Sequence, residues 1–371
     1  MNARERFIAT LKFQKIDRPF RWEAPAVWPA TIKKWKNEGL PEDITCSNIK
    51  DSAVYDYFEM DKLAWLPFEG GWIGDPFYPM FEKTILDSDE EHQVLIDTDG
   101  IMKRIKTDDP DTSMPQFLKF PVETREDYME KILPRYDYKS PERFPEDWNK
   151  LCAEYKSRDY PLGMFIVGPF GHLRNLMGDE GLMFALYDDP EFIHYIMTNW
   201  KNFYLGFVDT VCKDVVPDFV MIWEDMCYKS GPLISPDLYK EFMAPCLAEI
   251  ISLTKLKGIE GIIVDNDGNC TKMLPIYLDC GANAFYPFEV QAGMDIIDVR
   301  NEYGNRFTII GGLDKKALSI GKEAIRDEID EKVPVMLSHG GYIPMIDHSV
   351  PTNISLEMFR YFLSYVREKK A

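Results

Sequence analysis

The second half of the chain alternates short apolar runs with longer amphipathic stretches. The apolar runs have the length and composition of buried strands, and they are Gly163–Val167, Asp218–Trp223, Gly261–Val264, Ala282–Tyr286, Phe307–Ile310 and Tyr342–Ile346. The intervening stretches have the apolar spacing of helices, as in Pro190–Val211, Pro236–Leu256, Ile297–Tyr303 and Lys322–Leu337. Buried strands that alternate with helices indicate βαβ units and a parallel sheet.

The first part of the chain is less regular. Residues 3–13 and the stretch Pro29–Glu38 have helical spacing and predict an N-terminal helical extension. Residues 63–107 show short strand-like runs and turn signals such as Asp99-Gly100, which predict an inserted hairpin region. Because no Pro-, Gly- or Ser-rich linker divides the chain, we expect residues 1–371 to form a single domain.

Two architectures fit an alternation of strands and helices: a doubly wound sheet and a closed barrel. A doubly wound sheet should carry a glycine-rich GxGxxG turn for phosphates, and Gly168-Pro169-Phe170-Gly171 does not match it. A (β/α)8 TIM barrel typically needs about 250 residues and tolerates large additions. We therefore predict an α/β protein of the (β/α)8 barrel type, with its functional groups at the carboxyl ends of the strands.

Charge and cysteine usage exclude several classes of protein. The formal net charge is −19, which argues against a nucleic-acid reader and against a polyanionic substrate. The seven cysteines are scattered without a CxxC motif, as expected for reduced thiols rather than a disulfide framework. The charged start MNARERFIATLKF lacks a signal-peptide core, and no apolar run is long enough for a membrane span, so we expect a cytoplasmic protein.

Polar residues follow five successive predicted strands, at the point where each strand ends. They are Glu224, Asp225, Asp265, Asp267, Glu289, Asp314, Asp347 and His348. Several have an alternative interpretation: Asn269 and Asp314 as helix caps, Asp267-Gly268 as a simple turn, and Asp225 as a structural residue. As a group they are harder to explain in this way, because carboxylates gathered in a barrel mouth repel one another. A bound cation or raised pKa values should relieve that repulsion.

Several motifs resemble those of one family, the uroporphyrinogen-decarboxylase superfamily. They are Asp265–Asn269, the GGLDK of Gly311–Lys315, the closing run Gly340–Pro351, and the opening Asn2–Arg6 followed by Asp17-Arg18-Pro19. The resemblance covers nearly the whole chain and implies the (β/α)8 barrel. It leaves the reaction open, because the family holds both decarboxylases and cobamide-dependent methyltransferases.

Two departures from the family's motifs bear on the reaction. The decarboxylase has an arginine-rich RQAGRY-type segment that holds the acidic side chains of its porphyrinogen, whereas residues 21–28 here lack the arginine pair and contain Glu23, Trp22 and Trp28. The coenzyme-M methyltransferases bind zinc through His-x-Cys and a late Cys, and these positions correspond here to Asp265-x-Asp267 and His348. Oxygen and imidazole ligands of this kind still suit zinc or another divalent metal.

The resemblance to a third branch, the methyltransferase component of anaerobic O-demethylase systems, is our leading interpretation. Such enzymes move a methyl group from a methyl ether, often aromatic, to the cobalamin of a separate corrinoid protein. A homodimer is compatible with this interpretation, and no corrinoid-binding module is recognisable in this chain. The alternatives are a decarboxylase of a smaller or tetrapyrrole-like substrate and a non-catalytic corrinoid- or tetrapyrrole-binding protein.

This interpretation assigns roles to particular residues. The predicted metal ligands are Asp265, Asp267 and His348, with Glu289 or Glu224 completing the shell. Without a metal, His348 or a carboxyl group with a raised pKa would act as general acid. We therefore take His348, Asp265 and Glu224 as the catalytic candidates. The predicted substrate contacts are Asp225 and a set of aromatic residues, each of which has core packing as its alternative role: Trp22, Trp28, Phe68, Trp72, Phe77 and Tyr78.

Overall fold

A computed structural model describes residues 1–23, 27–45, 52–68, 77–107 and 115–369. The strands in this part of the chain are β1 (Ala64–Trp65), β2 (Thr84–Ser88), β3 (His92–Ile96), β4 (Met102–Lys106), β5 (Gln116–Lys119), β6 (Leu162–Val167), β7 (Phe219–Trp223), β8 (Cys227–Tyr228), β9 (Gly231–Pro232), β10 (Gly261–Asp265), β11 (Ala284–Tyr286), β12 (Thr308–Ile310) and β13 (Tyr342–Ile343). The α-helices are α1 (Ala3–Leu11), α2 (Pro29–Asn37), α3 (Ser52–Tyr57), α4 (Arg125–Asp127), α5 (Trp148–Lys156), α6 (Pro169–Asp188), α7 (Pro190–Asp214), α8 (Pro236–Phe242), α9 (Ala244–Leu256), α10 (Leu274–Cys280), α11 (Ile296–Tyr303), α12 (Lys315–Ile320), α13 (Lys322–His339) and α14 (Leu356–Glu368).

Seven parallel strands form the sheet of a (β/α)8 TIM barrel, in the order β1-β6-β7-β10-β11-β12-β13. All six apolar runs predicted as strands are found in this sheet. The last strand is shorter than predicted and ends at Ile343, because Pro344 has no N–H to donate to a neighbouring strand. Beyond Pro344, the chain regains a parallel bridge between Ile346 and Leu313.

Residues 19–23 lie between the last strand and the first, and we call them the closing segment. The Arg21 carbonyl accepts a hydrogen bond from the Asp61 N–H at 2.9 Å, and the Glu23 carboxyl accepts one from the Ile346 N–H at 3.4 Å. Phe20 and Trp22 of the closing segment join an inner apolar cluster with residues of α1 and of six barrel strands. The closing segment therefore occupies the eighth position of the barrel without forming a regular strand.

Helix α7 packs against the barrel and forms hydrogen bonds with the last residue of β6. In α7, the Trp200 indole donates to the Val167 carbonyl at 3.0 Å and the Tyr204 hydroxyl accepts from the Val167 N–H at 2.9 Å. The predicted helix Pro236–Leu256 is split into α8 and α9 at Met243, because Pro245 cannot continue the hydrogen-bonding pattern of α8. Within the described residues, no helix is both long and apolar enough to cross a membrane.

The predicted hairpin region is a four-stranded antiparallel sheet in the order β2-β3-β4-β5. Asp99-Gly100 forms the predicted turn between β3 and β4, where the Gly100 N–H donates to the Asp97 carbonyl at 2.8 Å. Two boundaries were wrong. Residues 64–65 belong to the barrel, because Ala64 and Trp65 pair with β6, and the hairpin sheet continues beyond residue 107 to Lys119. A two-residue strand is too short to show a periodicity in the sequence.

Candidate metal and acid–base site

The parallel strands deliver the candidate residues to one rim of the barrel. Glu224 follows β7, Asp265 ends β10, and Glu289 lies three residues beyond β11. Asp347 and His348 follow the bridge that extends β13. Because neighbouring strands run in the same direction, these positions all lie at the carboxyl ends of the strands, where barrel enzymes carry their functional groups.

Three of the predicted residues, Asp267, Glu289 and His348, form a compact group that we call the ligand triad. Each offers one oxygen or nitrogen atom, and these atoms all lie within 4.8 Å of one another. The His348 Nε2 and the Asp267 Oδ2 are 3.0 Å apart, and all three side chains are half-buried. Two carboxylates and one imidazole are ligands that zinc and related divalent cations accept in proteins. The residues present therefore fit a divalent metal.

The backbone next to the ligand triad packs closely against β8. The Gly268 N–H donates to the Glu289 Oε2 at 2.8 Å, which joins the loop after β10 to the loop after β11. Gly268 has a φ of +73°, and a Cβ there would lie 2.7 Å from the Cys227 carbonyl oxygen. A side chain at this position would therefore collide with β8, so the turn after Asp267 requires glycine.

Asp347 is fully buried next to the ligand triad; the sequence placed it among the rim residues but assigned it no role in the site. Its Oδ2 accepts a hydrogen bond from the Val290 N–H at 2.9 Å, and its Oδ1 accepts one from the Lys315 N–H at 3.1 Å. The Asp347 N–H in turn donates to the Leu313 carbonyl at 2.8 Å. One carboxylate therefore joins the loops after β11, β12 and β13: Val290, which it holds, follows Glu289, and Asp347 itself precedes His348. The only sequence signal was its place beside His348 after the last strand.

Asp265 and Asp225 place two further carboxyl groups beside the ligand triad. Burial and the nearby charges of Asp267 and Asp225 raise the pKa of Asp265 well above its ordinary value. Burial and Asp267 also raise the pKa of Asp225, against the opposing effect of Arg174, whose Nη2 lies 2.9 Å from the Asp225 Oδ2. Asp265 is not one of the three ligand-triad residues, although its predicted role was that of a ligand. The mutual repulsion of these carboxyl groups favours proton uptake or the binding of a cation.

His348 carries the imidazole of the site. Burial disfavours its charged form, but the hydrogen bond and the charge of Asp267 outweigh burial, so the net pKa of His348 is raised. Lys315 opposes the charge on His348, and its Nζ lies 3.8 Å from the Glu289 Oε1. A histidine held in this way can supply a proton, or it can offer Nε2 to a metal when it is neutral.

Glu224 is fully buried at the N-terminus of α6. Its Oε2 accepts a hydrogen bond from the Phe170 N–H at 3.2 Å. Burial nevertheless raises its pKa to about 8, against the opposing effects of Tyr239, the α6 backbone and Arg174. The carboxyl packs so closely on Gly168 that a Cβ there would collide with Oε2. Glu224 is therefore a buried, protonated acid at neutral pH, and it is not part of the ligand triad.

The alternative interpretations of the rim residues have mixed outcomes. Asp314 is a helix cap, because its side chain accepts a hydrogen bond from the Lys316 N–H at the start of α12. Asp265 and Asp267 cap no helix: α10 begins at Leu274, and its N-cap residue Met273 makes no side-chain bond. His172, in the first turn of α6, is fully buried, hydrogen-bonds Tyr136 through Nε2, and has its pKa lowered to about 3 by burial.

The predicted aromatic contacts are not gathered in one place. Trp22 is 2% exposed and packs on Phe7 and Phe219 in the inner cluster. Phe68 packs on Phe144, Trp148 and Phe207 in the outer layer, and Phe77 is also buried there. Trp28 is 38% exposed at the start of α2, and Tyr78 lies 5.7 Å from the Arg143 guanidinium. Trp72 lies outside the described residues.

The fold and the rim motifs agree with a match to a known family. A sequence model described as uroporphyrinogen decarboxylase (URO-D) matches residues 106–369, which is more than half of the chain. The chain belongs to the uroporphyrinogen-decarboxylase family. Membership of this family indicates an enzyme.

Individual relatives are distant. Over 193 residues the chain is 22% identical to a uroporphyrinogen decarboxylase from Alcanivorax borkumensis, covering 49% of this chain and 50% of that protein. Over 141 residues it is 23% identical to a uroporphyrinogen decarboxylase from Chlorobium chlorochromatii, covering 37% and 39% respectively. The chain thus spans half or less of these curated relatives. Among solved structures, a methyltransferase from Methanosarcina mazei matches with a TM-score of 0.62 and 14% identity over 99% of both chains, which supports the fold.

Proposed function

We propose that this protein is a corrinoid-dependent methyltransferase that moves a methyl group from a methyl ether to the cobalamin of a separate corrinoid protein. The observation that carries the proposal is the ligand triad of Asp267, Glu289 and His348 at the carboxyl rim of the barrel, with its candidate ligand atoms within 4.8 Å of one another. The whole-chain likeness to a methyltransferase structure supports the same class of enzyme.

The chemistry of ether cleavage explains why such a site is useful. When the methyl–oxygen bond breaks, the oxygen leaves as an alkoxide or phenolate, which is a poor leaving group in water. A zinc ion or another divalent metal bound at the site would supply Lewis-acid chemistry toward that oxygen. Asp267, Glu289 and His348 would hold the metal, and Asp347 would keep their loops in place.

The chain's own groups offer a second way to stabilise the leaving oxygen. His348 has a raised pKa and lies at the half-buried rim, so its protonated imidazole can deliver a proton to an oxygen placed beside it. Asp267 keeps that proton available by pairing with the His348 Nε2 at 3.0 Å. Glu224 is a less direct acid, because its carboxyl is completely buried. We assign Glu224 a supporting role, in which its carboxyl holds the first turn of α6 against the end of β7.

Contacts with the part of the substrate beyond the methyl ether, and with the corrinoid protein, would determine which ether is used. Trp28 is the best-placed aromatic candidate for contact with an aryl ring, because it combines exposure with a position just after the closing segment. The sequence motifs supply no corrinoid module, so the corrinoid protein would dock at the barrel mouth. The acidic chain, with its net charge of −19, suits an uncharged ether better than a polyanion.

The test is a reconstituted methyl transfer. The protein is mixed under reducing anaerobic conditions with a corrinoid protein in the cob(I)alamin state and an aryl methyl ether, and cobalt methylation is followed by absorbance. Ether-dependent methylation that is lost in His348→Ala and kept in Asp314→Asn, a rim carboxylate outside the ligand triad, would support the proposal. Absence of methylation with a panel of aryl and alkyl ethers would reject it.

A decarboxylase is the second candidate, because both curated relatives carry that name. Against it, the acidic rim would repel the carboxylates of a porphyrinogen. The same preparation incubated with uroporphyrinogen and with smaller carboxylic acids distinguishes the two. Release of carbon dioxide without any cobalamin would establish the decarboxylase instead.

A further inference from the structure

A cavity on the outer wall of the barrel lies apart from the ligand triad. The closing segment, Met60, Pro344 and α14 line it, and its volume of about 430 Å³ includes the open solvent at its mouth. Pro344 faces outward here, because its neighbours Ile343 and Met345 both belong to the inner cluster. The cavity therefore lies between the sheet and the last helix, not inside the barrel.

Three guanidinium groups line this cavity, and two of them have carboxylate partners. Arg18 makes two hydrogen bonds to Asp61, at 2.6 and 2.7 Å. Arg367 pairs with Glu59, with its Nη1 3.2 Å from the Oε2. Asp61 is shared further, because it also accepts hydrogen bonds from the Arg6 side chain at 3.0 Å and from the Arg21 backbone at 2.8 Å. The acidic groups of this cluster are therefore already occupied.

Arg21 is the guanidinium that remains. Among the described residues its side chain makes no hydrogen bond and no salt bridge, although its backbone is firmly held by Asp61. Arg21 is half-buried, and Arg18, Arg6 and Arg367 add positive charge around it. The charges of Asp61 and Glu59 favour the Arg21 guanidinium, but no carboxylate of the described residues forms a direct pair with it, so an anion that binds there gains a charge-assisted hydrogen bond.

The other groups of the lining do not provide that counter-ion. Glu23 also lines the cavity, but its carboxyl accepts a hydrogen bond from the Ile346 N–H and makes none with the Arg21 side chain, and burial raises its pKa well above the ordinary range. The remaining wall is apolar and includes Met60, Pro344, Leu363 and Val366. The cavity therefore combines one unpaired guanidinium with an apolar wall.

We propose that this cavity is a binding site for a small carboxylate with an apolar body, whose carboxylate pairs with the Arg21 guanidinium. The apolar wall contacts the body of the ligand, and the fork of guanidinium donors matches the two carboxylate oxygens. The occupant is distinct from the substrate of the rim, because the site faces the outer wall. Occupancy adds a contact between the closing segment and α14, and thereby stabilises the position where the barrel closes.

The test compares two ligands of the same shape, isobutyrate and isobutyramide, by calorimetry with the full-length protein at constant ionic strength. We expect one isobutyrate per chain, with an affinity at least about tenfold higher than that of the amide, because only the acid forms a charge-assisted pair. Arg21→Gln should reduce isobutyrate binding to the level of the amide. Arg306→Gln, which removes an exposed arginine outside the cavity, should leave binding unchanged.

Each of the other outcomes overturns the proposal. Equal affinities for acid and amide would mean that the charge of Arg21 is not used. Isobutyrate binding that persists in Arg21→Gln would place the ligand elsewhere. Binding of inorganic phosphate without binding of isobutyrate would identify a simple oxyanion site and would reject the carboxylate ligand. Circular dichroism and the thermal midpoint of Arg21→Gln show whether the variant is folded, and Arg21→Lys, which keeps the charge, should retain part of the preference for the acid.

Discussion

The Asp347 carboxylate accepts a 2.9 Å hydrogen bond from the backbone N–H of Val290, the residue that follows Glu289. Its second oxygen holds the Lys315 N–H, so both acceptor positions are used. In Asp347→Asn, one oxygen becomes an amide that faces a backbone donor. We expect metal affinity to fall about 10- to 100-fold, as for other residues that orient metal ligands, and stability to fall by about 1–3 kcal/mol.

The measurement is zinc titration of chelator-treated protein, combined with urea unfolding. Asp295→Asn serves as the control, because Asp295 also accepts two backbone hydrogen bonds but does so at the start of α11, away from the rim. If Asp347→Asn binds zinc as tightly as the parent while Asp295→Asn loses equal stability, then Asp347 has only a structural role.

The ligand triad predicts which rim carboxylates matter for metal binding. Asp267→Asn, Glu289→Gln and His348→Ala should each weaken zinc binding by at least about 100-fold, because direct ligands contribute more than the residues that orient them. Asp314→Asn should bind normally, because Asp314 caps α12. Calorimetric titration of each purified variant measures this, and normal binding by any two of the three ligand-triad variants would contradict the site.

Asp265 provides a sharper version of the same experiment. The sequence predicts it as a ligand, whereas the structure places it beside the ligand triad rather than within it. Asp265 contributes nearby negative charge but no ligand atom of the triad. Asp265→Asn should therefore lower zinc affinity less than Asp267→Asn, which removes a ligand. A loss as large as that of Asp267→Asn would restore Asp265 to the set of ligands.

Glu224 should make the protein less stable as the pH rises. Its carboxyl stays protonated in the folded chain up to a pH of about 8, whereas in the unfolded chain it ionises near its ordinary value of 4.5. Between these values the unfolded state binds fewer protons, so the free energy of unfolding falls by about 1.4 kcal/mol per pH unit from this group alone. Glu224→Gln keeps a neutral side chain and should remove about 3.5 kcal/mol of the loss between about pH 5 and pH 8.

Urea unfolding at several pH values measures that difference. Glu241→Gln, at an exposed position of α8, is the matched control and should follow the parent protein. Identical slopes for Glu224→Gln and the parent would show that the buried carboxyl ionises normally. Catalytic activity of Glu224→Gln in the same preparation separates a supporting role from direct proton transfer.

Phe68 and Trp28 should differ in whether their removal affects stability or substrate affinity. Phe68 packs on three aromatic rings, so Phe68→Ala should cost about 2–3 kcal/mol of stability without a specific effect on substrate affinity. Trp28 is 38% exposed, so Trp28→Ala should change stability little and, under the proposed function, raise KM for an aryl ether. Unfolding curves and steady-state kinetics of both variants test this. A stable Phe68→Ala with an increased KM would assign substrate contact to the outer layer.

The barrel was predictable because each of its longer strands is a buried apolar run, and strands of this kind differ clearly from amphipathic helices in periodicity. The three members of the ligand triad were predictable for the same reason, since strand ends in a parallel sheet share one rim. Ala64-Trp65 was missed because two residues have no period. The sequence also does not say which of two adjacent residues faces the rim: His348 does, while Asp347 faces backbone donors behind it.

The closing segment is held to the rest of the barrel more weakly than the strands are held to one another. Seven strands are joined by regular ladders, whereas residues 19–23 are joined to their neighbours by isolated hydrogen bonds, such as the two between Arg21 and Asp61 and the one from Ile346 to Glu23. Local unfolding begins where the fewest hydrogen bonds must break together. We therefore expect the barrel to open first at the closing segment. Ile346, which is bonded to Glu23 of the closing segment, is followed directly by Asp347 and His348. Motion of the closing segment therefore reaches the rim within two residues of the chain.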